Sequence, residues 1–223
     1  MERVNSDSWF DRRVMKLTCF ERWFINHPRH ARQTERRALA LLEHVELPSQ
    51  PRCLEIGCGQ GALARLLVER LEARVIATDY DPQQVALARQ RLTGLGGRVE
   101  LRVVDARAMP FDDAQFDAVF SFGVLHHILD GWGQAVAEAA RVLRPGGWFV
   151  LSDFVAHTCV DRLMRRLLPW LDWLGEAALH ARLTENGLQV KHCERSQGCL
   201  LGGTRGLGLM RQCVVVARKT RPD

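Results

Sequence analysis

The hydrophobic pattern of this chain alternates between short apolar runs and longer amphipathic segments, which is typical of strands followed by helices. The apolar runs predict seven strands, at residues 52–56, 74–78, 99–104, 116–122, 148–151, 188–194 and 212–218. The amphipathic segments predict helices at residues 34–47, 60–71, 83–92, 131–143, 160–175 (with a kink at Pro169) and 176–186. The repeated order of strand, turn and helix predicts an α/β fold, with a doubly wound, mostly parallel seven-stranded sheet and helices on both faces.

A glycine-rich turn between the first strand and its helix is the strongest functional signal. Gly57, Gly59 and Gly61 are spaced two apart, directly after the apolar run. Glycine lets a backbone approach a ligand closely, and the N-terminus of the following helix offers N–H groups. The turn therefore predicts a site for a nucleotide-like cofactor.

Polar side chains end the next three strands. Asp79 follows the second strand, Asp105 the third, and Ser121 lies near the end of the fourth. In an open α/β sheet, ligands bind at the carboxyl ends of the strands, beside the first strand. Each aspartate could instead be only a helix N-cap. Together they predict an adenosine site, in which Asp79 accepts hydrogen bonds from the ribose diol and Asp105 accepts one from the adenine amine.

An NAD-dependent dehydrogenase, or a non-catalytic or redox cofactor-binding module, remains an alternative. The loop also fits the Gly-x-Gly-x-x-Ala form of the dinucleotide fingerprint, with Ala62 in the last position. Glu55 argues against it, because a carboxylate inside the loop would repel an anionic pyrophosphate and attract a cationic ligand.

Five ordered segments carry a family resemblance: residues 54–61 (LEIGCGQG), 79–81 (DYD), 105–111 (DARAMPF), 116–119 (FDAV) and 141–147 (RVLRPGG). They resemble the motifs of class I S-adenosylmethionine-dependent methyltransferases, most closely the small-molecule branch typified by ubiquinone and menaquinone methyltransferases. The resemblance spans residues 50 to 153 and implies a Rossmann-like fold, S-adenosylmethionine as cofactor and in-line transfer of a methyl group.

The resemblance also implies a role for individual residues at the cofactor site. It assigns the methionine portion to Glu55 and the backbone of Gly57, Cys58, Gly59 and Gly61, the ribose to Asp79, the adenine to Tyr80, Asp105 and Ala106, and the sulfonium end to Ser121.

The acceptor side is less well defined by sequence. His126 and His127 follow the fourth strand, and either could be a general base, which is needed only when the acceptor loses a proton. Packing or loop hydrogen bonding is the alternative role for both. We expect a small, apolar or lipid-like acceptor. The basic and aromatic segment at residues 163–174 could contact a membrane surface or line an apolar pocket, although such helices more often pack on the sheet.

No internal repeat or low-complexity linker divides the chain, so the sequence predicts one methyltransferase domain over residues 1–223. Within it we expect an N-terminal helical lid at 1–47, a cofactor-binding core at 50–153, and substrate-side helices with the last two strands at 154–223. The lid would present the aromatic and histidine residues of the N-terminal segment: Trp9, Phe10, Phe20, Trp23, Phe24, His27 and His30.

Charge raises the alternative of an RNA methyltransferase. The net charge is +5 and the pI about 9.0, but the arginines are spread along helices beside acidic residues, so the charge pattern does not indicate a nucleic-acid partner. The chain also has no Asp/Asn-Pro-Pro-aromatic run after strand four and no Pro-Cys pair.

The seven cysteines show neither CxxC nor Cys/His ligand spacing, so the sequence predicts no metal site and no disulfide framework. Cys159, Cys193 and Cys199 leave a methylase of thiophilic metalloids as a weaker alternative. The N-terminus has no apolar secretory segment, and we expect a cytoplasmic protein with reduced thiols.

Overall fold

A seven-stranded sheet forms the centre of the molecule, in the order β3-β2-β1-β4-β5-β7-β6. The computed structural model describes residues 27–95, 97–128, 131–156, 174–197 and 210–221. The strands are β1 Arg52–Ile56, β2 Arg74–Asp79, β3 Val99–Val103, β4 Phe116–Phe122, β5 Leu143–Ala156, β6 Leu188–Gln197 and β7 Met210–Lys219. Strands β1 to β5 pair in parallel, and β7 is antiparallel to both its neighbours. The predicted mostly parallel sheet is confirmed.

Strand β5 is much longer than the predicted 148–151. It begins with Leu143 opposite Phe116, passes a register shift, and continues to Ala156. The predicted strand ended before two polar residues, Ser152 and Asp153. Both are buried with hydrogen-bond partners, and Gln212 Nε2 donates to Ser152 Oγ over 3.0 Å. The strand can therefore continue through them.

The helices are α1 Pro28–Leu42, α2 Ala62–Leu71, α3 Pro82–Arg91, α4 Trp132–Val142 and α5 Glu176–Glu185. Helix α1 lies earlier than the predicted 34–47, because the His27 side chain caps its first turn and Pro28 fits that position. Asp81 caps α3 as predicted, accepting from the Gln83 N–H over 2.9 Å. The predicted helix at 160–175 and the aromatic residues of the expected lid lie outside the described residues, apart from 174 and 175.

Two apolar layers cover the sheet, one on each face. Helices α4 and α5 pack on one face through residues such as Val136, Leu179 and Leu183. Helices α1, α2 and α3 pack on the other through residues such as Leu41 and Leu67. This is the expected doubly wound arrangement.

None of the helices in the described ranges is long and apolar enough to cross a membrane.

Helix α4 also fixes the loop after β3. The Arg141 guanidinium donates to the carbonyl oxygens of Met109 (3.0 Å) and Phe111 (2.8 Å), and Glu138 accepts from the Met109 N–H over 2.7 Å. These contacts hold the loop that carries Asp105 at the carboxyl edge of the sheet.

Candidate functional site

The predicted cofactor residues converge on one edge of the molecule. They lie at the carboxyl ends of β3, β2, β1 and β4, which are consecutive neighbours in the sheet. Parallel strands bring their C-terminal ends together, so residues up to 66 positions apart in the chain share this edge.

Two of the three glycines in the turn are packed against neighbouring side chains, and the third faces open space. All three glycines have positive φ: +70° at Gly57, +50° at Gly59 and +80° at Gly61. A Cβ at Gly57 would lie 2.2 Å from Val124 Cγ2, and one at Gly61 would lie 2.5 Å from Leu92 Cδ1. A Cβ at Gly59 would meet nothing within 4 Å. Of the three glycines, only Gly59 has open space where a side chain would lie, and the contact of all three with a cofactor stays a prediction.

The N–H groups of this turn are largely used inside the protein. The Cys58 N–H donates to the Thr78 carbonyl (2.8 Å) and the Gly61 N–H donates to the Cys58 carbonyl (2.7 Å). The Gly59 N–H donates to Asp79 Oδ2 over 2.9 Å. A pyrophosphate needs such donors, whereas an ammonium or a ribose needs acceptors. The turn therefore favours a cationic ligand over a dinucleotide.

Glu55 is the most unusual acceptor at this edge. Its side chain is only 4% exposed, and Oε2 has no hydrogen-bond partner among the described residues. Burial, followed by the nearby charge of Asp79, raises the pKa of Glu55 to about 8, although the Ala64 N–H favours its ionised form. A buried carboxylate of this kind is stabilised by a cation, and the ammonium of a methionine moiety would supply one.

Asp79 links the turn to the end of β2. Its Oδ2 accepts from the Gly59 N–H and its Oδ1 accepts from the Asp81 N–H, both over 2.9 Å. Burial raises the pKa of Asp79 in spite of these two hydrogen bonds. Because each carboxylate oxygen can accept a second hydrogen bond, the pair of oxygens still fits a ribose diol. Tyr80 is half-buried beside it.

Asp105 has a close partner in its own loop. Arg107 Nη2 donates to Asp105 Oδ2 over 2.8 Å, and the Arg107 backbone N–H donates to Oδ1 over 2.9 Å. Burial alone would raise the pKa of Asp105, but these hydrogen bonds outweigh it and lower the pKa. Any contact with an adenine amine would therefore be shared with Arg107. Ala106 is buried next to Asp105.

Ser121 completes the predicted set. It lies opposite Ile56 in the β1–β4 ladder, one residue before Gly57, and it is fully buried. Its Oγ has no hydrogen-bond partner among the described residues. A buried hydroxyl in this position is available to a ligand at the centre of the edge.

A further carboxylate, which the sequence interpretation missed, lies beside the loop that carries His126. Asp153 in β5 is fully buried, and its Oδ1 lies 2.5 Å from His126 Nδ1. The backbone N–H groups of Val124 (3.0 Å), Leu125 (2.8 Å) and Phe154 (2.7 Å) also donate to it. Burial would raise the pKa of Asp153, but the His126 interaction and these N–H groups together lower it.

The loop that carries His126 lies against the glycine turn. Val124, two residues before His126, occupies the space that a side chain at Gly57 would need. The His126 ring packs edge-on against Phe154 and lies 4.0 Å, centroid to centroid, from the ring of His127. Asp153 does not end a strand as Asp79 does. It lies inside β5, one residue after Ser152, the last residue of β5 paired with β4, so the rule that an acid ends a parallel strand did not indicate it.

Comparison with known proteins identifies the family of this chain. The family model described as "Methyltransferase domain" matches residues 54–151. The chain is 32% identical over 166 residues to a ubiquinone biosynthesis O-methyltransferase of Xanthomonas axonopodis pv. citri, covering 67% of this chain and 69% of that protein. It is 36% identical over 113 residues to 27-O-demethylrifamycin SV methyltransferase of Amycolatopsis mediterranei, covering 50% and 41%.

The fold of this chain is similar to that of solved structures. The [4+2]-cyclase SpnF superposes with a TM-score of 0.70 at 21% identity, over 86% of this chain and 82% of that one. The chain spans less than half the length of three of its curated relatives. The predicted family and cofactor are confirmed: this chain belongs to the class I S-adenosylmethionine-dependent methyltransferases.

Proposed function

We propose that this protein transfers a methyl group from S-adenosylmethionine to a hydroxyl of a small, apolar or lipid-like molecule, with His126 as general base. The observation that carries the proposal is the 2.5 Å contact between His126 Nδ1 and the buried carboxylate of Asp153. An acceptor that is already a strong nucleophile needs no base, whereas a hydroxyl must lose its proton during the transfer.

On the cofactor side, the chain's own groups would bind S-adenosylmethionine and orient it. Glu55 would hold the ammonium, Asp79 the ribose hydroxyls, and Tyr80, Asp105 and Ala106 the adenine, while Ser121 and the glycine turn would lie along the methionine portion. When bound, S-adenosylmethionine supplies an electrophilic methyl carbon on a sulfonium. The site must then mainly hold the acceptor in line and exclude water, and orientation of this kind can supply about 7–11 kcal/mol.

On the acceptor side, Asp153 would fix the tautomer of His126. Because Asp153 is an ionised acceptor, the proton lies on Nδ1 and the lone pair of the neutral ring lies on Nε2. Nε2 would then receive the acceptor's hydroxyl proton, and the resulting imidazolium would be stabilised by the Asp153 carboxylate. His127, next to it in the chain, would position the loop.

The relatives support a small acceptor, since they include a 27-O-demethylrifamycin SV methyltransferase and a ubiquinone biosynthesis O-methyltransferase. The RNA and metalloid alternatives have no comparable support. The segment predicted to contact a membrane or the acceptor falls almost wholly outside the described residues, so membrane contact stays a prediction, as does the cytoplasmic location.

A product-release screen tests the proposal. The purified protein is incubated with S-adenosylmethionine and panels of phenols, quinols, aliphatic alcohols, amines, lipids and tRNA, and S-adenosylhomocysteine release is measured for each. We expect turnover with a hydroxyl-bearing apolar compound. Turnover with tRNA or amines alone would contradict the proposal.

A further inference from the structure

Three metal-ligating side chains meet on the opposite half of the sheet from the cofactor turn. His180 lies on α5, Cys193 on β6 and Cys213 on β7, and one ligand atom from each lies within 4.8 Å of the other two. Neither cysteine forms a disulfide. The cluster is outside every contact described for the cofactor and for His126.

The backbone explains why these side chains share one face. In the β6–β7 ladder Cys193 lies opposite Val215, and Cys213 lies opposite Arg195. Side chains alternate between the two faces of a strand, so residues two apart on each strand point the same way. That face is covered by α5, and Cys213 belongs to the same apolar cluster as Leu179 of that helix.

The separation of the ligand atoms suits tetrahedral coordination of a metal ion. Cys193 Sγ and His180 Nε2 lie 3.9 Å apart. Zinc bonds of about 2.3 Å to sulfur and about 2.0–2.1 Å to nitrogen place two tetrahedral ligands about 3.6 Å apart, so a small rotamer adjustment closes the difference. Cys213 is fully buried, whereas Cys193 and His180 are half-buried, which leaves an approach from the protein surface.

A carboxylate, that of Glu176, lies close enough to these three side chains for its charge to act on Cys213. Glu176 lies one turn before His180 on α5 and forms an ion pair with Arg195. Burial, the neighbouring Cys193 and then the charge of Glu176 raise the pKa of the Cys213 thiol to about 12, while Arg195 opposes this.

We propose that His180, Cys193 and Cys213 bind one thiophilic divalent cation, with zinc as the expected ion and Glu176 as the fourth ligand. Each thiol releases its proton to solvent as its sulfur–metal bond forms. The ion joins α5 to the β6–β7 hairpin, and Cys213 lies opposite Asp153 in the β5–β7 ladder, so it would brace the strand that holds His126. The site departs from the sequence-based expectation of no metal, because its ligands are 13 and 20 residues apart and follow no ligand spacing.

Cobalt titration of the metal-free, reduced full-length protein tests this site. We expect one Co²⁺ per chain, with a thiolate-to-cobalt charge-transfer band and the intense visible bands of tetrahedral cobalt, all lost when Zn²⁺ is added. His180→Gln and Cys193→Ser should each weaken Co²⁺ binding at least about tenfold, and Cys193→Ser should also reduce the charge-transfer band. Both positions are half-buried, so circular dichroism should show that both variants fold.

Two control variants remove cysteines that the proposal does not use. Cys53→Ala removes a buried thiol of β1, and a triple variant carries Cys19→Ser, Cys159→Ser and Cys199→Ser; both should keep the band at full intensity. Absence of the band, its survival in both ligand variants, or its loss in the triple variant would overturn the proposal. So would a mass two hydrogens lower in untreated protein, together with no cobalt binding after reduction, which would identify a disulfide pair instead.

Discussion

Glu55 and Asp153 are both buried carboxylates at the same edge of the sheet, yet their pKa values move in opposite directions. Glu55 has one oxygen without a hydrogen-bond partner among the described residues, and burial raises its pKa to about 8. Asp153 accepts from three backbone N–H groups and contacts His126, and these interactions lower its pKa despite complete burial. Among the described residues, one oxygen of the first carboxylate has no hydrogen-bond partner, whereas the second carboxylate is held by three N–H groups and by His126.

This difference separates the two halves of the site. In the proposed function, Glu55 on β1 and Asp79 on β2 would be the acceptors for a cationic ligand. The acceptor half, on β4 and β5, is internally satisfied, so its carboxylate acts on a protein side chain rather than on a ligand. Changes in the first half should therefore alter cofactor binding, and changes in the second should alter the chemical step.

The largest expected effect is on turnover. His126→Asn keeps a donor for Asp153 but removes Nε2, so kcat should fall by about 10²–10⁴-fold while calorimetric affinity for S-adenosylmethionine stays unchanged. His127→Asn is the matched control and should retain most of the activity. An equal loss in both variants, or none in His126→Asn, would show that the loop histidines only pack.

The next largest effect is expected in the glycine turn, where Gly57→Ala should mainly reduce stability and Gly59→Ala should mainly weaken cofactor binding. Gly57→Ala places a methyl group against Val124 at a positive φ, so the free energy of unfolding should fall by about 2–4 kcal/mol in urea titrations. Gly59→Ala should cost only about 1 kcal/mol, because its Cβ meets nothing, and its main effect should be weaker cofactor binding. Equal destabilisation by the two changes would contradict this division of roles.

A smaller effect is expected at the ribose position. Asp79→Asn loses a charged acceptor, so affinity for S-adenosylmethionine should weaken by about 1–3 kcal/mol in calorimetry. Asp81→Asn is the control, since asparagine caps a helix as well as aspartate does. Affinity that is unchanged in Asp79→Asn would remove the ribose assignment.

The strands and turns that bring the predicted cofactor residues to one edge could be predicted from sequence, because their signals are local. The glycine turn, Asp79 and Asp105 each follow directly after an apolar run, and the strand order brings them to one edge without further information. The internal use of the Gly59 N–H by Asp79, and the pairing of Asp105 with Arg107, could not be read this way. They depend on side-chain directions that the apolar pattern does not encode.

The acceptor half was less predictable because its contacts join distant segments. His126 and Asp153 are 27 residues apart, and Asp153 lies beyond the predicted end of β5. His180, Cys193 and Cys213 meet only after α5 packs on an antiparallel hairpin. Periodicity predicts the elements, but it does not predict which faces of late elements come together.

The most direct measurement is calorimetric titration with S-adenosylmethionine from about pH 6 to about pH 8.5, in wild type and in Glu55→Gln. In the free protein Glu55 is protonated below about pH 8 and must ionise to pair with the ammonium. Wild-type affinity should therefore rise with pH, by at most about tenfold per unit, and level off near pH 8, while Glu55→Gln should bind more weakly at high pH with no such rise. A flat wild-type profile, or the same slope in Glu55→Gln, would contradict a site built around a buried carboxylate that binds a cationic cofactor.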